Sequence, residues 1–245
     1  MINEKVFLGY PIPFKDVCKI YPPTVNDVVV NDEFIQYQAL FTMSQEELDD
    51  AYRNEDKTVI TPNPFIYLLL TYHTEDKMKP VILRGFEKFV HEPVTIIPEM
   101  EIVVIGVDEE HLNPDVDLVE PRLLNKENYF DFQNSVRDIM GLERVEPPDP
   151  DEDPRVARIK AKSRYREKIK AKKNLGPKLG TLLAAICCMG IGLNPLNIGE
   201  MSYADVVWLI EIYQQKESYD IDIRSLLAGA DSKKVKPKYW IKNLK

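Results

Sequence analysis

Side chains able to do chemistry are few in this sequence, and their spacing builds no site. His73, His91 and His111 stand far apart, on a helix-like stretch, at a helix end and in a loop. A metal centre or a nucleophile–base–acid triad needs partners that no nearby residue supplies. The stretch "DEEH" at 108–111 holds ligand types, but an acidic run in a loop is ordinarily solvated. Cys187 and Cys188 are adjacent, which is neither a zinc-ligand spacing nor a disulfide framework. With Cys18 they fit a reducing compartment. "MGIG" at 189–192 lacks the third glycine and the acidic residue of a dinucleotide fingerprint, and no Gly-Lys-Ser/Thr phosphate loop occurs. No catalytic residue, metal or cofactor is assigned, and the expectation is a protein that is not an enzyme.

Charge carries more information. The 245 residues have a net charge of −8, but residues 1–153 carry 13 basic and 32 acidic side chains, and residues 154–245 carry 19 and 8. The acidic, proline-rich "EPPDPDEDP" at 146–154 marks the division, and directly after it "RVARIKAKSRYREKIKAKK" holds ten basic residues and one Glu. Arg155, Arg158, Lys162, Arg166, Lys170 and Lys173 form its basic patch. Such a helix could neutralise several phosphates, with binding that falls steeply as salt rises. Against that, the acidic half competes for it within the chain and repels nucleic acid at distance. No helix-turn-helix, zinc finger or RNA-recognition pattern accompanies it. A nucleic-acid-binding protein therefore stands as the alternative reading.

The elements that would carry these residues are mainly helical. "YPPTVNDVVVNDEFIQYQALF" has Thr24 and prolines placed to start a helix, and Ser44 and Glu47 of "SQEELDDAYR" stand in capping-box positions. Pro64 opens an apolar helix, and Val81, Ile82, Phe86 and Phe89 give the next one an apolar side. "PVTII" and "MEIVVIGV" switch to short β-branched runs, a strand pair near 94–107. "ENYFDFQNSVRDIMG" reads as a helix stopped by Gly141. The expected organisation is an acidic, mostly helical module over 1–145, a Pro/Asp-rich linker over 146–154, and a basic helical extension over 155–245 with apolar helices. In that extension, Leu179–Gly199 runs 21 residues without a charge, but Asn194, Pro195 and Asn197 interrupt it short of a span, so no membrane is expected. Ser202 then caps a helix, with Asp205 three residues on, and a further short helix ends near Gly229.

Apolar and aromatic residues in the extension exceed what so small a segment needs for its own core. Tyr203, Val207, Trp208, Ile210 and Tyr213, with Tyr239 and Trp240 near the end, are the candidate partner-binding residues. Aromatic anchors and large apolar patches commonly mark protein interfaces. The bland alternative is that they pack a small helical domain.

At "FDFQNSVRDIMG", "DPRVARIKAKSRYREKIKAKK" and "TLLAAICCMGIGLNPLNIGEMSYADVVWLIEIYQQKESYDIDIRSLLAGADSKKVKPKYW", the chain resembles proteins encoded among the tail genes of long-tailed phages and prophages of Gram-positive bacteria. Within them it is most similar to the tail assembly chaperones. The resemblance implies a non-catalytic helper in the host cell cytoplasm that binds the long, aggregation-prone tape measure protein. It also implies absence from the finished virion. Read from its charge, the basic half could recruit the tail tube protein or, by self-association, the acidic surface of a neighbouring copy. The resemblance assigns no functional residue. A structural component of the tail or neck is a further alternative.

Overall fold

The computed structural model describes residues 6, 8–30, 33–53, 61–113, 122–146, 156 and 179–239. Among them the chain is mostly α with some β, with eight α-helices and two small antiparallel sheets. It divides into two compact units, residues 1–144 together with 196–245, and residues 145–195. The packing boundary differs from the charge boundary, because everything from Leu196 onward belongs with the N-terminal residues.

In the first unit, β1 (Ile12–Phe14) and β2 (Cys18–Ile20) form a hairpin whose alternating residues are buried, Ile12 and Phe14 against Cys18 and Ile20. Helices α1 (Val25–Val30) and α2 (Phe34–Thr42) follow, where the sequence suggested one element. The expected caps form. The Asp27 amide donates to Thr24 Oγ1 at 3.2 Å and the Thr24 amide to Asp27 Oδ2 at 2.8 Å. In α3 (Gln45–Arg53) the Glu47 amide donates to Ser44 Oγ at 3.2 Å and the Ser44 amide to Glu47 Oε2 at 3.0 Å. Each exchange satisfies donors that a helix start leaves open. Pro64 does open α4 (Pro64–Thr74), with Asn63 as its cap.

Helix α5 (Lys79–Val90) is the centre of the unit, with Val81, Ile82, Phe86, Phe89 and Val90 buried. It ends at His91, held in the left-handed region at φ 58° with its ring stacked on Tyr21 at 4.1 Å. The expected hairpin is β3 (Val94–Ile97) with β4 (Ile102–Ile105), and a third strand, β5 (Leu123–Asn125), adds to β4. The residues between them at 114–121 lie outside the described set. Helix α6 (Tyr129–Ile139) closes the layer.

An aromatic lattice holds this unit together. Phe41 meets Phe86 edge to face at 4.7 Å and Phe89 at 5.5 Å, and Phe14 meets Phe132 at 5.5 Å. Edge-to-face pairs of this kind add to the burial term because each ring's positive rim meets another's negative face. Around the lattice, Arg84 donates to both carboxylate oxygens of Glu33 at 2.7 and 2.9 Å. Buried Cys18, its thiol pushed up to about 12 by burial with the Glu92 charge adding to it, is no nucleophile at neutral pH.

The second unit, taken alone, contains α7 (Leu179–Cys187), in which Ile186 is buried while Gly180, Thr181, Ala184 and Ala185 are exposed. Among the described residues no helix is long and apolar enough to cross a membrane.

Candidate partner-binding helix

Helix α8 (Tyr203–Leu227) is the longest described, 25 residues and about 37 Å at 1.5 Å per residue. It joins what the sequence suggested as two helices, running unbroken to a cap at Ala228 and Gly229. Its start is fixed to the N-terminal residues by main-chain bonds. The Tyr203 amide donates to the Pro23 carbonyl at 2.8 Å, and the Val25 amide to the Met201 carbonyl at 2.9 Å. Between these bonds Thr24 and Ser202 form an antiparallel bridge. Each of these two residues also caps its own helix, the Asp205 amide donating to Ser202 Oγ at 3.1 Å. Two helix starts are thus clasped side by side.

Side chains close the clasp. The exposed Asn26 side chain lies over Gly199, where a Cβ would displace it. Gly141, at φ 68°, ends α6 under the helix, where Ala204 Cα and Trp208 Nε1 each stand 3.5 Å from the position a Cβ would take. The Tyr203 ring packs against Phe34 at 6.5 Å. Ala204, Asp205 and Val206 are buried on three successive faces, and Tyr203 on the fourth is half-buried. Burial pushes the Asp205 carboxyl up to about 6, and the Ser202 hydroxyl and amide offset only part of that.

Beyond this root the helix changes character. Val207, Trp208, Leu209, Ile210, Ile212 and Tyr213 are half-buried, and farther out Ile221 is 55% and Leu227 84% exposed. The tail returns to place Tyr239, 48% exposed, edge to face with Tyr219 at 5.7 Å.

The structure therefore separates the residues that the sequence grouped as partner-binding. Tyr203 and Trp208 pack in part against the core of their own unit. Val207, Ile210 and Tyr213 remain half-exposed along the helix, and Tyr239 lies on the tail beside it. Trp240 and the basic patch of Arg155, Arg158, Lys162, Arg166, Lys170 and Lys173 lie outside the described residues. Asp205, read from the sequence only as a cap residue, turns out to be a buried carboxylate, which a cap position facing solvent would not have produced.

Among the described residues no three His, Cys, Asp or Glu side chains gather where a metal could sit. His111 Nδ1 stands 4.0 Å from Asp108 on an exposed loop, the one ion-pair contact within "DEEH" among the described residues.

Compared with known families, residues 170–245 match the YomV second domain, a phage-related domain. The match covers under a third of the chain and contains all of α8. It agrees with the coarser part of the resemblance, that of a phage protein. No curated protein and no solved structure matches the chain.

Proposed function

We propose that the chain is a non-catalytic phage assembly factor, a tail assembly chaperone that binds the tape measure protein and helps to recruit tail tube subunits in the host cytoplasm. The observation that carries this reading is α8, fixed to its unit over the first turns and then continuing for most of its length with apolar residues half-exposed. A tape measure is a long helical chain whose apolar faces are uncovered until the tube forms around it. Laying a helix with uncovered apolar residues against another buries such faces without a deep pocket and with contacts that can be released. The excess of acidic residues in the N-terminal part keeps the loaded complex soluble. The phage-related match over the segment that contains α8 supports the same reading.

An affinity pull-down of the tagged full chain from phage-producing cells, divided into nuclease-treated and untreated halves, tests it. Tape measure protein should be recovered equally in both halves. Ile210→Asp with Tyr213→Ala should reduce its recovery severalfold without changing the fold, as read by circular dichroism. Partners lost on nuclease treatment would instead make the chain a nucleic-acid binder. Its presence in purified particles would make it a structural component of the tail or neck.

A further inference from the structure

Along α8, Leu209, Ile212, Lys216, Tyr219, Ile223 and Leu226 are spaced three and four residues apart in strict alternation. That is the a/d spacing of a coiled-coil seam, and it places all six in one narrow stripe. Five of them are half-buried and Lys216 is exposed. The stripe lies on the far side of the helix from Val207 and Ile210, and beyond Tyr213 it gathers Tyr219, Ile223 and Leu226 while Ile221 stands away from it, a seam that a second helix can cover.

We propose that this second helix is the same stretch of another copy of the chain, running antiparallel. The stripe is self-complementary when one copy is reversed. In an antiparallel pair each a residue faces a d residue. With Leu209 placed opposite Leu226 of the second copy, Ile212 falls opposite Ile223 and Lys216 opposite Tyr219. One register satisfies all three layers, and each occurs twice about a twofold axis, as an isologous contact requires. The central layer sets the direction. A parallel pair would stack Lys216 on Lys216 in the middle of the seam, whereas the antiparallel pair lays each ammonium against a tyrosine ring, a favourable contact. Lys216 is held along the helix by Asp220 at 2.8 Å, so its charge is already oriented beside the stripe. Tyr239 meets Tyr219 from the edge and so flanks the seam. Two and a half heptads make a short pair, so the dimer is a concentration-dependent one. This inference stands apart from the reading of the partner, because Val207 and Ile210 stay free on the other side.

The test is the mass of the full chain in solution, by sedimentation velocity or light scattering across a dilution series. The chain mass is 28.4 kDa, and twice that mass should dominate at the highest concentrations, with a dissociation constant on the order of micromolar. Ile212→Glu with Ile223→Glu should hold the chain at its monomer mass while its melting temperature barely moves. Lys216→Leu, which removes the charge from the seam, should tighten the dimer about tenfold. Direction is read by mixing a Leu209→Cys chain with a Leu226→Cys chain, both with Cys187 and Cys188 changed to Ser. Mixed disulfide dimers should outnumber like-with-like dimers. A monomer at roughly 100 µM would overturn the inference, since that far exceeds a micromolar constant. So would a dimer indifferent to the paired Glu substitutions, a looser dimer with Lys216→Leu, or like-with-like disulfides.

Discussion

The two ends of α8 belong to one helix and live under different physics. Its first turn is buried at Ala204, Asp205 and Val206, tied by main-chain bonds to Pro23 and Val25 and covered by Phe34 and the end of α6. Its last turns carry Ile221 and Leu227 largely in solvent. Sequence composition does not separate these ends, since both are rich in apolar and aromatic residues. The difference comes from who meets them, and it teaches that the same residue types serve as root in one place and as surface in another.

Substitutions can break or sharpen that contrast. The largest effect is expected at Phe34, 1% exposed and shared between the α5 core and Tyr203. Phe34→Ala should cost about 3–5 kcal/mol in denaturant unfolding, since it empties a ring-sized volume beneath the root.

Asp205 gives a smaller effect with a pH signature. Its carboxyl sits near 6 when folded, against an ordinary 3.8, so between those values the folded chain holds a proton that the unfolded chain has released. Stability from this group is complete below the ordinary value and falls as pH rises through about 6. Asp205→Asn should therefore match the parent near pH 3.5 and exceed it at pH 7 by on the order of 1–2 kcal/mol. Ile221→Ala should change stability by less than about 0.5 kcal/mol, because the residue is exposed and helix propensity favours alanine. A large loss there would mean that the outer helix is as enclosed as the root.

Much of the fold was legible because local rules decided it. Thr24, Ser44, Ser202, Pro64 and Gly141 mark helix ends through bonds and dihedrals that involve only their neighbours. The β-branched runs of β3 and β4 likewise declared themselves. The β1–β2 hairpin carried a usable signal, the alternation of Ile12 and Phe14 with Cys18 and Ile20, but each strand is only three residues long. β5 has no such pattern and exists because β4 offers it an edge.

The candidate site was legible in kind rather than in detail. Tyr203, Val207, Trp208, Ile210 and Tyr213 do share one helix. What the sequence could not carry is that Met201 and Tyr203 bond to residues nearly 180 positions away, which turns two of those aromatics inward. Charge drew the eye to the linker, yet charge does not report which segments pack together.

The most direct measurement is native-state hydrogen exchange of the full chain, dilute enough to keep it monomeric, resolved along 203–227. A helix rooted in the module and presented beyond it requires the amides of residues 206–210 to exchange with the same opening free energy as those of α5, and the amides beyond Tyr213 to exchange progressively faster. Amides of 206–210 that open while α5 stays closed would contradict the root. Uniform protection to Leu227 would contradict the presented surface.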